Sequence, residues 1–340
     1  MKVTKAFNIY HHQEAFKLES GRIIPGYHLA YTTYGNLDQN KSRVVWVFHA
    51  LTANSDPADW WPGLIGIGKR FDPSNHFIIC VNMPGSCYGS ISPLDKNPEN
   101  GTTWFHDFPY FTPRDMARVY IPLRKFLGID RIHVGIGGSM GAHQMLEWAI
   151  EEPDLFEHII PIATNAKHSS WGRAFTASQR MAIENDPTWL QKDPDAGRNG
   201  MKIARSIALL GYRNYECYNY AQQDDNEKLE NFKSESYQRY QGEKIAKRFN
   251  AFSYYFLTKG LDAHNVGRGR DTAEKALKNI KAKTLVIGVK SDLLYPSVEQ
   301  QFLAEHITNA KLELIDSFFG HDGFLLEYEK ITSLINTFIQ

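Results

Sequence analysis

RIHVGIGGSMGAHQMLEWAI, residues 131–150, decides the reading of this chain. Ile132–Ile136 is short, apolar and rich in β-branched residues, as in a buried strand. Ala142–Ile150 is a good helix former, closed by Glu151-Glu152-Pro153. Between them lies Gly137-Gly138-Ser139-Met140-Gly141. A serine on a sharp strand-to-helix turn needs strained backbone angles, and flanking glycines remove the Cβ atoms that would obstruct them. Such a turn lifts Ser139 Oγ above the sheet edge. The helix N-terminus behind it offers free N–H groups and positive potential, and the Met140 N–H points at a developing oxyanion. The string alone also fits an incidental glycine-rich turn. The strand before it and the helix after it favour a nucleophile.

Similar strand signals occur at Val44–Phe48, Phe77–Val81 and Ile159–Ile162 before the chain's midpoint, and at Thr284–Val289 and Lys311–Ile315 near its end. Asp115–Leu127 carries Met116, Val119, Tyr120, Leu123 and Leu127 at helical spacing, with Pro122 set against an unbroken helix. Alternating strands and helices predict an α/β fold with a mostly parallel sheet. From Ala166 to Ala276 no strand signal appears and the composition is helical. A closing helix is expected over Leu325–Phe338. The predicted organisation is a first part of the α/β core at 1–165, a helical lid subdomain at 166–276 and a second part of the core at 277–340. Gln222–Glu235 is polar, as in a solvated surface loop.

Composition bounds the function. Of 340 residues, 38 are Lys or Arg and 38 are Asp or Glu, so the formal net charge is zero and gives no global pull toward nucleic acid or an anionic membrane. The 20 Phe, 17 Tyr and 7 Trp suit a well-filled core. Three cysteines without a C-x-x-C pair argue against a disulfide framework or structural zinc. The histidines, His11-His12 included, lack metal-ligand spacing, and no metal is expected. The N-terminal stretch has no apolar run of a secretory leader and no window is long enough to span a membrane, so the expected location is cytoplasmic.

A serine hydroxyl needs a base, and the base an orienting acid. Where the nucleophile sits on such a turn, the chain order is Ser, acid, His. Asp292 follows the strand Thr284–Val289 in VKSDLLYP, and His321 follows the next strand in FGHDG. Singly, Asp292 fits a turn residue and His321 a surface loop; together, in order and each after a strand, they fit the remaining members. A second oxyanion donor is expected after Val44–Phe48, where the Leu51 N–H is suitably placed. His49 reads as a structural hydrogen-bonding residue.

The chain resembles the homoserine O-acetyltransferases of the α/β-hydrolase superfamily along nearly its whole length. The resemblance rests on HALTANSDPADWW (49–61), IICVNMPGSCYGS (78–90), DFPYFTPRDM (107–116), GGSMGAHQMLEWA (137–149), QRMAIENDPTW (179–189), residues 240–270 and FFGHDGFLLE (318–327). Two departures are small-for-small: Ala53 and Ala142 stand where the family usually has Gly. The resemblance implies an α/β-hydrolase core with a helical lid and a ping-pong acyl transfer from acetyl-CoA to L-homoserine through acyl-Ser139, in methionine biosynthesis. It implies Arg205 on the acceptor's carboxylate, Asp322 on its ammonium, no permanently bound cofactor, and a homodimer formed through the lid. A succinyl donor, a serine acceptor, and a serine esterase or thioesterase with the same residues remain open alternatives. A non-catalytic binding protein is a further one, against which the intact Ser139, Asp292 and His321 speak.

Overall fold

The computed structural model describes residues 4–38 and 41–339; residues 1–3 of the stretch read as lacking a leader lie outside them. The elements before the helical segment are β1 (Lys5–His12), β2 (Phe16–Lys17), β3 (Ile23–Ile24), β4 (Tyr27–Tyr34), β5 (Val44–Phe48), α1 (Pro57–Trp60), β6 (Phe77–Val81), α2 (Pro113–Phe126), β7 (Ile132–Gly138), α3 (Met140–Glu151) and β8 (Phe156–Ile162). Helices α4 (Ser170–Glu184), α5 (Arg198–Tyr212), α6 (Tyr215–Ala221), α7 (Lys233–Ala246), α8 (Ala251–Asp262) and α9 (Ala273–Lys278) follow. Then come β9 (Lys283–Val289), α10 (Ser297–His306), β10 (Ala310–Ile315), α11 (Gly323–Leu326) and α12 (Tyr328–Phe338). Among the described residues no named strand falls between β8 and β9.

Eight strands form one sheet in the order β1-β4-β6-β5-β7-β8-β9-β10. Only β4 runs against the others, pairing antiparallel with both β1 and β6. The strands expected from apolar runs are all present. Strands β5 and β6 are buried at every position, as a parallel sheet covered on both faces requires. The edge strand β1 and its partner β4 were not anticipated. Along β1 each alternate residue is exposed, Phe7 and Ile9 among them, so its sequence lacks the polar-apolar contrast of an ordinary half-buried strand.

Two helices differ from expectation. Helix α2 runs unbroken through Pro122. Its start is fixed by a capping box between Thr112 and Asp115 and by Pro113 in the first turn. Met116, Val119, Tyr120 and Leu123 are each at most 1% exposed, and their burial offsets the one hydrogen bond the proline removes. The closing helix is divided at Glu327 into α11 and α12. The Phe324 carbonyl accepts from Trp61 Nε1 (3.0 Å), which takes the acceptor that a continuous helix would offer to Tyr328.

A buried ionic network ties the end of the helical segment to the core. Arg114 Nε donates to Glu147 Oε2 (3.0 Å), its Nη1 donates to the Arg268 carbonyl (2.7 Å), and Arg270 Nη1 donates to the same Glu147 oxygen (2.6 Å). The chain returning from α8 is thereby clamped onto α2 and α3.

Candidate active site

Ser139 follows β7, in the middle of the sheet, and starts α3. Its φ of 55° and ψ of −129° are an expensive conformation for a residue with a Cβ. The neighbours make it possible by being small. A Cβ on Gly141 would lie 2.1 Å from the Phe48 carbonyl oxygen, and one on Gly138 would lie 2.3 Å from the Phe324 ring. The glycines thus serve close approach, of β5 to the helix start and of Phe324 to the strand end, while the serine itself carries the strain. Thr164 Oγ1 donates to the Ser139 carbonyl (3.1 Å) and steadies the turn from behind.

Asp292 and His321 come from the loops after β9 and β10. His321 Nδ1 and Asp292 Oδ2 are 2.7 Å apart, and both residues are 3% exposed. The other carboxylate oxygen of Asp292 accepts from the N–H groups of Leu294 (2.8 Å) and Tyr295 (2.9 Å), so its orientation is fixed from both sides. The two loops are joined where Ser291 Oγ donates to the Ser317 carbonyl (2.6 Å). Burial pulls the His321 pKa down, but the charge and hydrogen bond of Asp292 outweigh it and the net shift is upward.

Ser139, His321, Leu51, Arg205 and Asp322 line one cavity of about 510 Å³. Of the other sequence-predicted residues, Asp292 reaches this cavity through His321, and Met140 is fully buried and is relevant through its backbone. Among the described residues, neither the Leu51 N–H nor the Met140 N–H has an acceptor, which leaves both free for a ligand oxygen. His49, as expected, is structural. It is completely buried, its Nε2 accepts from the Met83 N–H (2.9 Å), and burial lowers its pKa to about 4.

Several partners were invisible in the sequence. The rings of Tyr212 (5.8 Å), Tyr295 (5.3 Å) and Phe324 (5.2 Å) surround the His321 imidazole. Arg205 lies over the Tyr212 ring at 5.3 Å. Asp322 pairs with Arg213 (3.2 Å), and burial raises its pKa against the lowering by Arg213, His321 and Arg205. Behind Ser139 sit three buried histidines: His143 stacks on His264 at 3.8 Å, and His168 faces His143 at 6.3 Å. Burial keeps all three neutral, lowering His168 to about 4 and His264 to about 3. No motif announced these contacts, and most of them join residues far apart in the sequence.

Among the described residues one group can gather around a metal ion: His133, Glu157 and His158, whose ligand-capable atoms lie within 4.8 Å of one another. They stand at the starts of β7 and β8, whereas Ser139 follows the end of β7.

A central, mostly parallel sheet with a serine on the turn after a middle strand, and an Asp-held histidine from later loops, defines a class. The family model for the alpha/beta hydrolase fold matches residues 43–328, and the chain belongs to that family. Within it the chain is 46% identical over 330 residues to homoserine O-acetyltransferase of Cyclobacterium marinum, covering 97% of this chain and 94% of that one. The chain belongs to the homoserine O-acetyltransferase family. The crystal structure of homoserine O-acetyltransferase from Bacillus anthracis superposes with a TM-score of 0.90 at 25% identity, covering 99% of this chain and 97% of that chain. An acetylester hydrolase from Corynebacterium glutamicum shares the fold at 21% identity, with a TM-score of 0.85 over 98% of this chain and 95% of that one.

Proposed function

We propose that this protein is an acyltransferase that moves an acetyl group from acetyl-CoA to L-homoserine through an acyl-Ser139 intermediate, a step of methionine biosynthesis. The observation that carries this reading is the shared cavity. Ser139 and the Asp292-held His321 line it together with Asp322 and Arg205, a cation without a carboxylate partner among the described residues.

His321 takes the Ser139 proton as the hydroxyl attacks the thioester carbonyl. The oxyanion is held by the Leu51 and Met140 N–H groups, and its collapse expels the thiolate, which takes the proton from His321. The homoserine hydroxyl then enters, gives its proton to His321 and attacks the acyl-serine; collapse of this second intermediate breaks the bond to Ser139 Oγ, which takes the proton back from His321, and releases the acetyl ester of homoserine. Asp292 keeps the imidazole oriented and stabilises its cation. Arg205 offers a planar fork to the acceptor's carboxylate and Asp322 an acceptor for its ammonium. The α5 helix, which carries Arg205, packs on the His321 turn so closely that a Cβ on Gly320 would lie 2.9 Å from the Arg213 backbone. The helical segment in this way acts as a lid that positions an alcohol where water would otherwise react.

No cofactor is held permanently in this reading. The protein acts in the cytoplasm as a homodimer joined through the lid, whose exposed Leu210, Tyr215, Tyr220 and Tyr240 supply contact area. No helix among the described residues is long and apolar enough to cross a membrane. The deciding experiment follows CoA release from acetyl-CoA with and without homoserine, alongside the intact mass of Ser139-containing peptides. Transfer requires an acetyl adduct on Ser139 and CoA release that depends on homoserine. Release at the same rate without homoserine would mark a thioesterase, and labelling by succinyl-CoA alone would change the donor.

A further inference from the structure

The mouth of the Ser139 cavity carries charge that acyl transfer at its floor does not use. Lys244 lies in the last turn of α7 and Arg248 four residues on, and both line the cavity. Both are exposed. Four other lid cations are neutralised: Lys202 pairs with Glu243, Arg198 with Asp195, Arg213 with Asp322 and Arg239 with Glu235. Among the described residues Lys244 has no ionic partner, and Arg248 has only neutral ones.

Arg248 is nevertheless held in place. Its Nη1 donates to the Thr52 carbonyl and to the Tyr88 hydroxyl (2.6 Å), which pins the guanidinium across the gap between the lid and the loops after β5 and β6. Its Nε and Nη2 donors find no acceptor among the described residues. A pre-positioned guanidinium with donors in reserve, beside a free ammonium, is suited to an oxyanion group such as phosphate. Among the described residues Asp59 is the one carboxylate besides Asp322 on the cavity wall, and it is exposed. Trp60, Leu51, Phe324 and Leu325 give the same cavity an apolar stretch of wall shared with Ser139.

Two exposed cations and an apolar stretch of wall in the cavity of the buried nucleophile match a thin acyl-bearing arm ending in a diphosphate. A cavity of about 510 Å³ takes an acyl group and its arm, with the nucleotide end left at the rim. We infer that Lys244 and Arg248 form the anion clamp for the diphosphate of the acyl donor, a coenzyme A thioester. The inference rests on the acetyl-CoA reading above.

The test compares single-turnover acylation of Ser139 by acetyl-CoA and by S-acetyl-N-acetylcysteamine, which carries the same thioester without phosphates. It uses the wild type, Lys244→Ala, Arg248→Ala and the double variant. Each single variant is expected to raise the half-saturating acetyl-CoA concentration about tenfold, far more than that of the truncated donor, and added salt should narrow the difference. Equal losses with both donors, or no loss with either, would overturn the clamp. Lys244→Ala removes an unpaired surface side chain, so the result does not depend on Arg248→Ala preserving the mouth. A wild type that neither donor acylates would refute the acetyl-CoA reading itself. A wild type acylated normally, with variants that do not discriminate, would refute the clamp alone.

Discussion

His321 Nδ1 stands 2.7 Å from Asp292 Oδ2, with both side chains sealed from solvent on loops that follow adjacent strands. In this setting the carboxylate raises the imidazole pKa above its ordinary 6.5 although burial alone would lower it. A base must be neutral to take a proton, so the rate of Ser139 acylation should rise with pH through a midpoint above 6.5. Asp292→Asn removes the raising partner; the midpoint should fall and the rate drop by about 10⁴-fold. Rapid-quench acylation across the neutral range measures both, and a midpoint that stays put in Asp292→Asn would contradict the assignment.

Arg205 divides the two half-reactions. Arg205→Ala should weaken use of the amino-acid acceptor by about 100-fold, since a charged hydrogen-bonding partner is lost, while acylation by the donor changes far less. Separate measurement of acylation and of homoserine-dependent deacylation checks this. Equal damage to both steps would mean that Arg205 supports the site structurally, through its stacking on Tyr212.

Space at the turn is set by backbone as well as side chains. Gly141→Ala would bring a methyl to 2.1 Å from the Phe48 carbonyl oxygen, and β5 cannot yield there without losing its register with β7. We expect a loss of about 2–3 kcal/mol in stability by urea denaturation. The adjacent position already holds a buried alanine, Ala142, so the effect should be confined to 141.

Ser139→Gly should act in the opposite direction. The serine sits at a φ of 55°, and glycine relieves that strain. A gain of about 1 kcal/mol relative to Ser139→Ala is expected in calorimetry, with both variants inactive. No difference between the two would show that the turn stores no strain.

Acid should destabilise the fold through its buried histidines. In the folded state His49 and His168 protonate only near about 4 and His264 near about 3, against 6.5 when exposed. Below 6.5 the unfolded chain therefore binds protons that the folded chain refuses, and stability declines as pH falls from there toward about 4. His321 contributes with the opposite sign: its raised pKa adds stability below 6.5 that is lost as pH rises through the folded value. Urea midpoints against pH should slope downward on the acid side, and His264→Gln should flatten the slope. A slope that survives the substitution intact would assign the acid limb to other groups.

Local pattern made much of this legible. The apolar runs at 44–48, 77–81 and 132–136 are strands because β-branched residues between two covering layers leave little alternative. Pro122 misled because packing of α2 outweighed one lost hydrogen bond. Strand β1 escaped notice because its exposed face carries Phe7 and Ile9.

The sequence by itself determined the strand, the glycine turn and the helix around Ser139, and the order in which Asp292 and His321 follow it, since periodicity and turn chemistry are short-range and written in neighbouring residues. Only the tertiary structure decided that three rings enclose His321, that Arg213 rather than solvent faces Asp322, that His143 meets His264, and that Lys244 and Arg248 line the cavity with no carboxylate partner among the described residues. Those meetings depend on how distant loops close over the sheet, and burial then sets the charge state of what they enclose.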